Sequence, residues 1–360
     1  MICRAQMIRA QAQRLARWTV ASAATVVLLL VLTEGGVRIL GLAPSLPLSH
    51  YTTDPHLPFK TRPLACTTGR SATAEYDYDY RHNSFGFRDI ERSPRKPKED
   101  VFRILALGDS FTYGAGVPFE ATFLSRLEKM LNARPGKHPP IEIIKAGIPR
   151  FFPEPERLLL EHYGWSFEPD LVLVVFVPND VIDTYYGVDA LTVCDGFLLT
   201  SYAARLIGSC PNPVFVLYKS SHAFRLLLSR AVSYRLDRDR PVRWSEIYKA
   251  NGFHEKDWQE VERQYTQMVQ LAQRKRVRIG FIHIPMEEGL SIPSGAYPAE
   301  RLLTFAQQQN VSLFDTLPAL RTAAGTAEVY WPRDGHPNER GHQVIAETLY
   351  RALTQQGALP

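Results

Sequence analysis

Cysteine, metal-binding motifs and surplus charge are all scarce in this sequence of 360 residues. It has 4 cysteines, and because neither a CxxC pair nor an HExxH motif occurs, we expect no zinc site and no cofactor. It also lacks an internal repeat, which excludes solenoids and propellers. With 45% hydrophobic and 22% charged residues, the composition is that of a globular protein of one large domain or two modest ones.

Acidic residues are absent before Glu34, and this places most of the positive charge at one end of the chain. Of the net charge of +5, four arginines before Glu34 contribute +4, so the remainder carries 5 − 4 = +1. They are Arg4, Arg9, Arg14 and Arg17. A charge confined to one terminus excludes a basic nucleic-acid-binding face, and we expect no nucleic-acid partner.

A stretch without any charge, WTVASAATVVLLLVLT at 18–33, follows the arginines. As a helix its length is ~24 Å, a little less than the ~30 Å hydrocarbon core of a bilayer. Since Arg17 can snorkel and the tail VRILGL can extend the helix, the sequence predicts a transmembrane anchor at 18–42 after a basic cytoplasmic segment at 1–17. By the positive-inside rule, everything after Glu34 then lies in the periplasm or at the cell exterior.

Two alternatives to an uncleaved anchor stay open. A cleaved signal peptide needs a small-x-small site after the apolar run, but ASA at 21–23 lies inside the run and LAP at 42–44 places proline just after the cut. The other alternative is a buried core helix. The cysteines agree only loosely with export, because three of them, an odd number, would be exported. Either Cys194 and Cys210 form a disulfide around a short segment and Cys66 is a free thiol, or all three are free thiols.

After the anchor, residues 43–100 are rich in Pro, Tyr, Arg and Asp and are interpreted as a linker and N-terminal extension. Within them, YDYDYRHNSFGFRD at 76–89 alternates aromatic and polar residues, which predicts an edge strand leading into the main domain. Its aromatic residues either pack on the core or stack on sugar rings. They are Tyr76, Tyr78, Tyr80, Phe85 and Phe87.

From 101 to 357, apolar runs of strand length alternate with segments of helical periodicity. Several of these strands are apolar on both faces, which indicates a parallel sheet covered by helices on both sides. The five predicted strands are 101–107, 141–147, 171–177, 277–284 and 311–315. Residues 184–252 interrupt the alternation, and we interpret them as an inserted cap over the strand ends or, because they are basic and apolar, as a membrane-facing patch.

The motif GDSFTYG at 108–114 follows the first predicted strand and places Ser110 where a hydrophobic strand turns into a helix. At that position a serine is either a helix cap or a nucleophile. A nucleophile needs a base, and His336 follows the last predicted strand, with Asp334 two residues earlier to orient its ring. A plain surface turn is the alternative for this DGHPN segment.

Taken together, these motifs resemble the SGNH, or GDSL, hydrolase family, in family order over residues 101–350. The resemblance implies a flavodoxin-like three-layer α/β/α fold with a parallel five-stranded sheet. It also implies a nucleophilic Ser110 whose backbone N–H helps to bind an oxyanion, an oxyanion-binding Asn179 in FVPND, and a catalytic pair of Asp334 and His336.

The sequence departs from the family pattern in two places. The second family block has Lys145 instead of Asn and Arg150 where the oxyanion Gly would fall, although Gly147 is retained. The predicted oxyanion hole therefore includes Gly147 and, as its third donor, the backbone N–H of Arg150. The D-x-H spacing resembles that of a family branch whose members are often membrane-anchored and act on exported glycans. Asp315 is the alternative partner for His336.

The resemblance and the predicted anchor together imply an exported, membrane-anchored serine esterase that acts on an acylated envelope glycan. A glycan O-acyltransferase and a non-catalytic glycan-binding or assembly protein are the alternatives. Two further histidines are predicted to pack rather than to react: His283 at a strand end and His342 at the start of the last helix.

Overall fold

The computed structural model describes residues 2–44, 46, 48–97, 100–239, 242–355 and 359–360, so the predicted domain end at 357 lies outside the described residues. The strands are β1 Tyr51–Thr52, β2 Lys60–Thr61, β3 Cys66–Arg70, β4 Asp77–Arg81, β5 Phe102–Gly108, β6 Ile141–Gly147, β7 Leu171–Phe176, β8 Leu191–Cys194, β9 Phe197–Thr200, β10 Arg278–His283 and β11 Ser312–Asp315. The helices are α1 Ile2–Ile39, α2 Ser110–Tyr113, α3 Phe123–Asn132, α4 Pro153–His162, α5 Asn179–Tyr186, α6 Ser201–Ile207, α7 Pro213–Ser220, α8 His222–Asp239, α9 Glu255–Lys275, α10 Glu287–Ser291, α11 Tyr297–Gln309, α12 Leu317–Ala324 and α13 Glu339–Gln355.

The chain divides into two compact units. Met1–Leu46 and Tyr202–Arg240 form the first, and Pro47–Ser201 with Pro241–Pro360 form the second. The predicted cap at 184–252 is therefore shared: its first residues, with the β8–β9 hairpin, belong to the second unit, and residues 202–240 belong with α1. A cap over the strand ends stays a prediction.

In the first unit, α1 is a single helix from Ile2 to Ile39, so the basic N-terminal residues continue into the apolar run. Its part from Gln11 to Ile39 is long and apolar enough to cross a membrane. Residues 11–33 are exposed on all sides. The apolar helix that the sequence predicts is present, and it ends before the predicted residue 42.

The second unit is built on a five-stranded sheet in the order β11-β10-β7-β5-β6, in which all neighbours are parallel. The predicted parallel sheet is confirmed, and each of its strands lies within a predicted run or one residue beyond it. Successive side chains of β5 point to opposite faces, with Leu105 and Leu107 in one core cluster and Ile104 and Ala106 in the other.

Helices cover both faces of this sheet, which confirms the predicted three-layer α/β/α fold. One core cluster contains buried residues of α4, α9 and α11, and the other contains those of α3, α12 and α13. The apolar spacing in α9 shows why, because Trp258, Val261, Tyr265 and Ala272 recur at helical intervals and are all buried.

Of the predicted edge strand at 76–89, only Asp77–Arg81 forms a strand, β4. Strand β4 pairs antiparallel with β3 rather than with the central sheet. Its alternating polar residues leave one face exposed, whereas a strand of the central sheet must be apolar on both faces. Among the aromatic residues of the segment 76–89, Tyr80 and Phe87 are buried, as the core-packing alternative expects. Cys194 and Cys210 are both disulfide-bonded, and Cys66 is free and exposed.

Candidate active site

Ser110 lies where β5 ends, at the first residue of the short helix α2. The helix cap is its neighbour Asp109, whose side chain accepts a hydrogen bond from the Phe111 N–H at 2.8 Å. Gly114 ends the helix in the left-handed conformation, with φ of 76°, which glycine adopts without strain. Capping is thus supplied by Asp109, and the Ser110 side chain has another partner.

That partner is His336, whose Nε2 lies 2.7 Å from Ser110 Oγ. The other ring nitrogen, Nδ1, lies 2.5 Å from Asp334 Oδ1. With a carboxylate at Nδ1, the neutral ring carries its proton there and leaves Nε2 as the acceptor of the serine proton. The structure therefore joins the three predicted catalytic side chains in one hydrogen-bonded chain.

A tight loop, closed by two backbone hydrogen bonds, holds Asp334 and His336 close together. The Trp331 N–H donates to the His336 carbonyl oxygen at 2.9 Å, and the Gly335 N–H donates to the Trp331 carbonyl oxygen at 2.8 Å. Gly335, between the two functional residues, has φ of 81°, which a side chain would strain. The D-x-H spacing is thus the product of a tight turn with glycine at its centre.

Tyr76 is a fourth member of this chain that the sequence did not predict. Its hydroxyl donates to Asp334 Oδ2 at 3.1 Å, and its ring centroid lies 5.5 Å from that of Trp331. Burial raises the pKa of Asp334, but the hydrogen bond and charge of His336, together with the Tyr76 hydroxyl, outweigh it and hold this pKa below its ordinary value. Asp334 therefore stays ionised next to His336.

Replacing Tyr76 with phenylalanine is expected to lower kcat for ester hydrolysis about tenfold, because loss of a hydrogen bond to a charged group costs ~1.5 kcal/mol or more. The ring packing against Trp331 is retained, so thermal stability should change little. Tyr78→Phe, in the same hairpin, is the matched control and should keep wild-type kcat. Equal kcat for Tyr76→Phe and the wild type would show that Asp334 needs no second donor.

Asn179, the predicted oxyanion-binding side chain, is the first residue of α5, just beyond the end of β7. Its Nδ2 donates to Asp109 Oδ2 at 3.1 Å and lies 3.4 Å from Asp183 Oδ2. Asp109 thus links the turn of Ser110 to the Asn179 amide, because its other oxygen caps α2. This contact orients the amide, a role for Asp109 and Asp183 that sequence reasoning missed.

Arg150 lies in a turn closed by a hydrogen bond from the Phe151 N–H to the Ile148 carbonyl oxygen at 3.0 Å. Proline at 149 and φ of 72° at Arg150 are typical of a type II turn, whose third position favours glycine. The arginine therefore keeps the backbone conformation of the glycine that the family pattern expects. Its guanidinium lies 3.2 Å from Asp183 Oδ1.

Gly147 has a packing reason to be glycine. It pairs with Gly108 across β5 and β6, and a Cβ at this position would collide with the backbone N of Tyr113. Only glycine allows α2 to approach the sheet this closely. The structure therefore gives Gly147 a role in seating α2, and its predicted role in oxyanion binding stays a prediction.

The comparison with family models decides the family. Residues 106–344, more than half of the chain, match the model described as the GDSL-like lipase/acylhydrolase family. The chain belongs to this family. As a GDSL hydrolase, it is a carboxylic ester hydrolase. No match was found among curated proteins.

Three solved structures illustrate what this GDSL hydrolase is similar to. A lipolytic G-D-S-L family protein from Veillonella parvula DSM 2008 has 13% identity and a TM-score of 0.42, covering 71% of this chain and 99% of its own. The psychrotrophic esterase EstA from Pseudoalteromonas sp. has 14% identity and a TM-score of 0.41, covering 71% of this chain and 97% of its own. A catalytic mutant of Axe2, an acetylxylan esterase from Geobacillus stearothermophilus, has 17% identity and a TM-score of 0.43, covering 69% of this chain and 93% of its own. The family assignment rests on the family model.

Behind Ser110 and Asn179, the GDSL hydrolase buries four carboxyl groups: Asp109, Glu156, Asp180 and Asp183. Burial raises the pKa of all four, and in Glu156 and Asp180 the nearby carboxyl charges raise it further. Both carboxyl oxygens of Glu156 lack a hydrogen-bond partner among the described residues. Within the described part of the chain, no group of three or more His, Cys, Asp or Glu residues could hold a metal ion.

Replacing Glu156 with glutamine is expected to remove part of the pH dependence of stability. Because the folded-state pKa is raised, the folded protein retains a proton that the unfolded chain releases. Stability then falls as pH rises from the ordinary carboxyl pKa towards the raised one. Between ~pH 5 and ~pH 8 the Tm of Glu156→Gln should fall less than that of the wild type.

The matched control is Glu161→Gln, on the same helix α4, because Glu161 is exposed and paired with Arg157. This control should follow the wild-type Tm at both pH values. An unchanged Tm difference in Glu156→Gln would show that Glu156 is ionised in the folded protein over this range.

The other candidate residues lie outside the hydrogen-bonded chain. Asp315, the alternative partner of His336, instead lies 2.7 Å from His283 Nδ1, at the ends of β10 and β11. His342 is buried and accepts from the Phe123 N–H at 3.1 Å, and burial lowers its pKa to about 3. Both histidines therefore have the structural environments that the sequence predicts.

Proposed function

We propose that this protein is an exported, membrane-anchored serine esterase that removes acyl groups from an envelope glycan. Ser110 is the nucleophile, His336 the general base and Asp334 the carboxylate that orients it. The observation that carries the proposal is the hydrogen-bonded chain from Ser110 Oγ through His336 to Asp334.

In this mechanism, His336 Nε2 takes the proton of Ser110 Oγ as the oxygen attacks the ester carbonyl carbon. The resulting oxyanion accepts hydrogen bonds from the backbone N–H groups of Ser110 and Arg150 and from Asn179 Nδ2, each worth ~3 kcal/mol of barrier. The protonated His336 then gives its proton to the departing alkoxide, which leaves as an alcohol. Water, deprotonated by His336, attacks the acyl-enzyme and releases the carboxylic acid and free Ser110.

The location and substrate rest on other observations. Helix α1 is long and apolar enough to serve as an uncleaved anchor, and the arginines at its start favour a cytoplasmic N-terminus. The D-x-H spacing resembles the branch of the family that acts on exported glycans. If the anchor is retained, intact mass will include the N-terminal residues and the protein will resist alkaline extraction from membranes.

A second candidate, a non-catalytic glycan-binding protein, is favoured by one observation: the sequence has arginine at position 150, where the family pattern has the oxyanion glycine. The two functions differ in turnover. The purified protein is expected to hydrolyse p-nitrophenyl acetate and to release acetate from an O-acetylated oligosaccharide. Oligosaccharide binding without release of acetate, unchanged in Ser110→Ala, would instead establish the binding protein.

The same assay separates hydrolysis from acyl transfer. With an added unacetylated oligosaccharide, a hydrolase releases free acetate and leaves the acceptor unmodified. An acetylated acceptor would show that a sugar hydroxyl, rather than water, attacks the acyl-enzyme.

A further inference from the structure

Helix α8 begins at a fixed point on α1. The Glu34 carboxylate of α1 accepts hydrogen bonds from the Ser221 hydroxyl at 2.8 Å, the His222 N–H at 2.9 Å and the Ala223 N–H at 3.0 Å. Arg38 of α1 donates to the Ser220 carbonyl oxygen, the last residue of α7, at 2.7 Å. Glu34 thus caps the N-terminus of α8, and Arg38 holds the junction between α7 and α8.

This fixed point lies where the exposed part of α1 ends. Residues 18–33 are uncharged and exposed on every side, and at ~1.5 Å per residue they span ~24 Å of the ~30 Å hydrocarbon core, the remainder of which the snorkelling side chain of Arg17 covers. Glu34 follows directly and is the first acidic residue of the chain. With α1 in a bilayer, the start of α8 therefore lies at the level of the lipid headgroups.

The outward faces of α7 and α8 have the composition of an interfacial surface. In α8, Leu227, Arg230, Tyr234 and Arg238 recur at helical spacing on one exposed face, with Leu227 69% and Tyr234 68% exposed. In α7, Val216 is 55% and Leu217 45% exposed. On a face of this composition the apolar and aromatic side chains can enter the acyl boundary while the long arginine side chains extend to the headgroups.

The charge of this segment fits an anionic surface. Residues 202–240 contain 7 basic and 2 acidic residues, whereas the whole chain has 42 and 37. This segment, which is attached to the end of α1, therefore carries 7 − 2 = +5, and the chain outside it and outside the four N-terminal arginines carries 5 − 4 − 5 = −4. A basic surface beside a membrane helix attracts anionic lipid headgroups.

We propose that α7 and the exposed face of α8 form a second membrane contact, which lies on the anionic headgroups of the leaflet where α1 ends. This surface, named here the interfacial face, consists of Val216, Leu217, Leu227, Arg230, Tyr234 and Arg238. The inference rests on the membrane anchoring in the proposed function and is independent of the esterase reaction. Its occupant is the bilayer that already contains α1.

The test uses the full-length protein in vesicles of phosphatidylethanolamine and phosphatidylglycerol. An environment-sensitive fluorophore is attached at Leu217→Cys or Leu227→Cys, in a background without Cys3 and Cys66. The matched control is Leu303→Cys on α11, in the other unit, where Leu303 is 49% exposed. Labels on the interfacial face should emit at shorter wavelength and be quenched severalfold more by headgroup-nitroxide lipids than the control.

Three results would overturn the inference in distinguishable ways. If the protein floats with the vesicles but the labels match the control in emission wavelength and in quenching, the interfacial face does not contact the membrane. The anchor would stand. A blue shift without lipid quenching would mean that protein covers the face. Protein that fails to float with the vesicles after an alkaline wash would remove the anchor and this inference together.

Charge reversal supplies a second measurement. Arg230→Glu and Arg238→Glu should each lower the ratio of membrane-bound, blue-shifted label to water-exposed label about thirtyfold, since a basic residue near an anionic surface contributes ~1 kcal/mol and the introduced carboxylate opposes binding by about as much again. Vesicles of phosphatidylcholine alone should lower it in the same direction for the unaltered face. Ratios that are independent of both changes would contradict the role of anionic lipid.

Discussion

Replacing Ser110 with alanine is expected to lower kcat for p-nitrophenyl acetate by about a million-fold, the size of effect seen when the nucleophile of a serine hydrolase is removed. Ser110 Oγ lies 2.7 Å from His336 Nε2, so within this hydrogen-bonded chain it is the hydroxyl from which His336 takes a proton. Alanine at position 110 removes this hydroxyl. The fold should be unaffected, because Asp109 rather than Ser110 caps α2. Stopped assays with long incubation measure the residual rate.

The matched control is Ser166→Ala, whose hydroxyl donates to the Tyr163 carbonyl oxygen on an exposed turn. It should keep wild-type kcat and so account for any effect of purification or of losing a hydroxyl. If Ser110→Ala kept activity within about tenfold of the wild type, a nucleophile other than Ser110 would have to be sought.

Replacing Asp334 with asparagine is expected to lower kcat about ten-thousand-fold, with little change in thermal stability. An amide in this position can donate to Nδ1 and so favours the ring tautomer that carries its proton on Nε2, where it cannot accept from Ser110. The loss also leaves the imidazolium without its counter-charge during the reaction. kcat should fall much more than KM rises, because the ground-state contacts of the substrate are unchanged.

The chain offers a matched control for this change in a second Asp–His pair. Asp315 lies 2.7 Å from His283 Nδ1, almost the geometry of the Asp334–His336 pair, but no described hydrogen bond joins it to Ser110. Asp315→Asn should therefore retain kcat within about threefold. A crippled Asp315→Asn beside a near-normal Asp334→Asn would reverse the assignment of the third catalytic residue.

The parts of the site that follow strands could be predicted from the sequence. Ser110 follows β5 and Asn179 follows β7, and carboxyl ends of parallel strands meet at one edge of a sheet. Asp334 and His336 share one tight turn, so their proximity needs no knowledge of remote contacts. The family motifs contain the same residues for the same physical reason.

Two parts of the site could not be predicted, because they depend on pairing between remote segments. Tyr76 is separated from Asp334 by 258 positions in the chain, and its aromatic-polar alternation describes only the local strand. Glu156 and Asp180 lie in the first turns of α4 and α5, where acidic residues are favoured by the helix dipole alone. Only tertiary packing buries these carboxyl groups behind the nucleophile.

The edge strand shows the same limit for the fold. Residues 77–81 do form a strand, as the alternation predicts, but the pattern does not specify a partner. The five core strands were predictable because continuous apolar runs are stable only in a covered parallel sheet. An amphipathic strand can pair elsewhere, and this one pairs with β3.

The central claim is that Ser110 is the nucleophile, and the most direct measurement is covalent labelling by a fluorophosphonate followed by peptide mass mapping. The wild type is expected to gain one adduct, on the peptide that contains Ser110. Ser110→Ala should gain none, and Asp334→Asn should react far more slowly than Asp315→Asn. An adduct on any other residue, or equal labelling of the wild type and Ser110→Ala, would contradict the account.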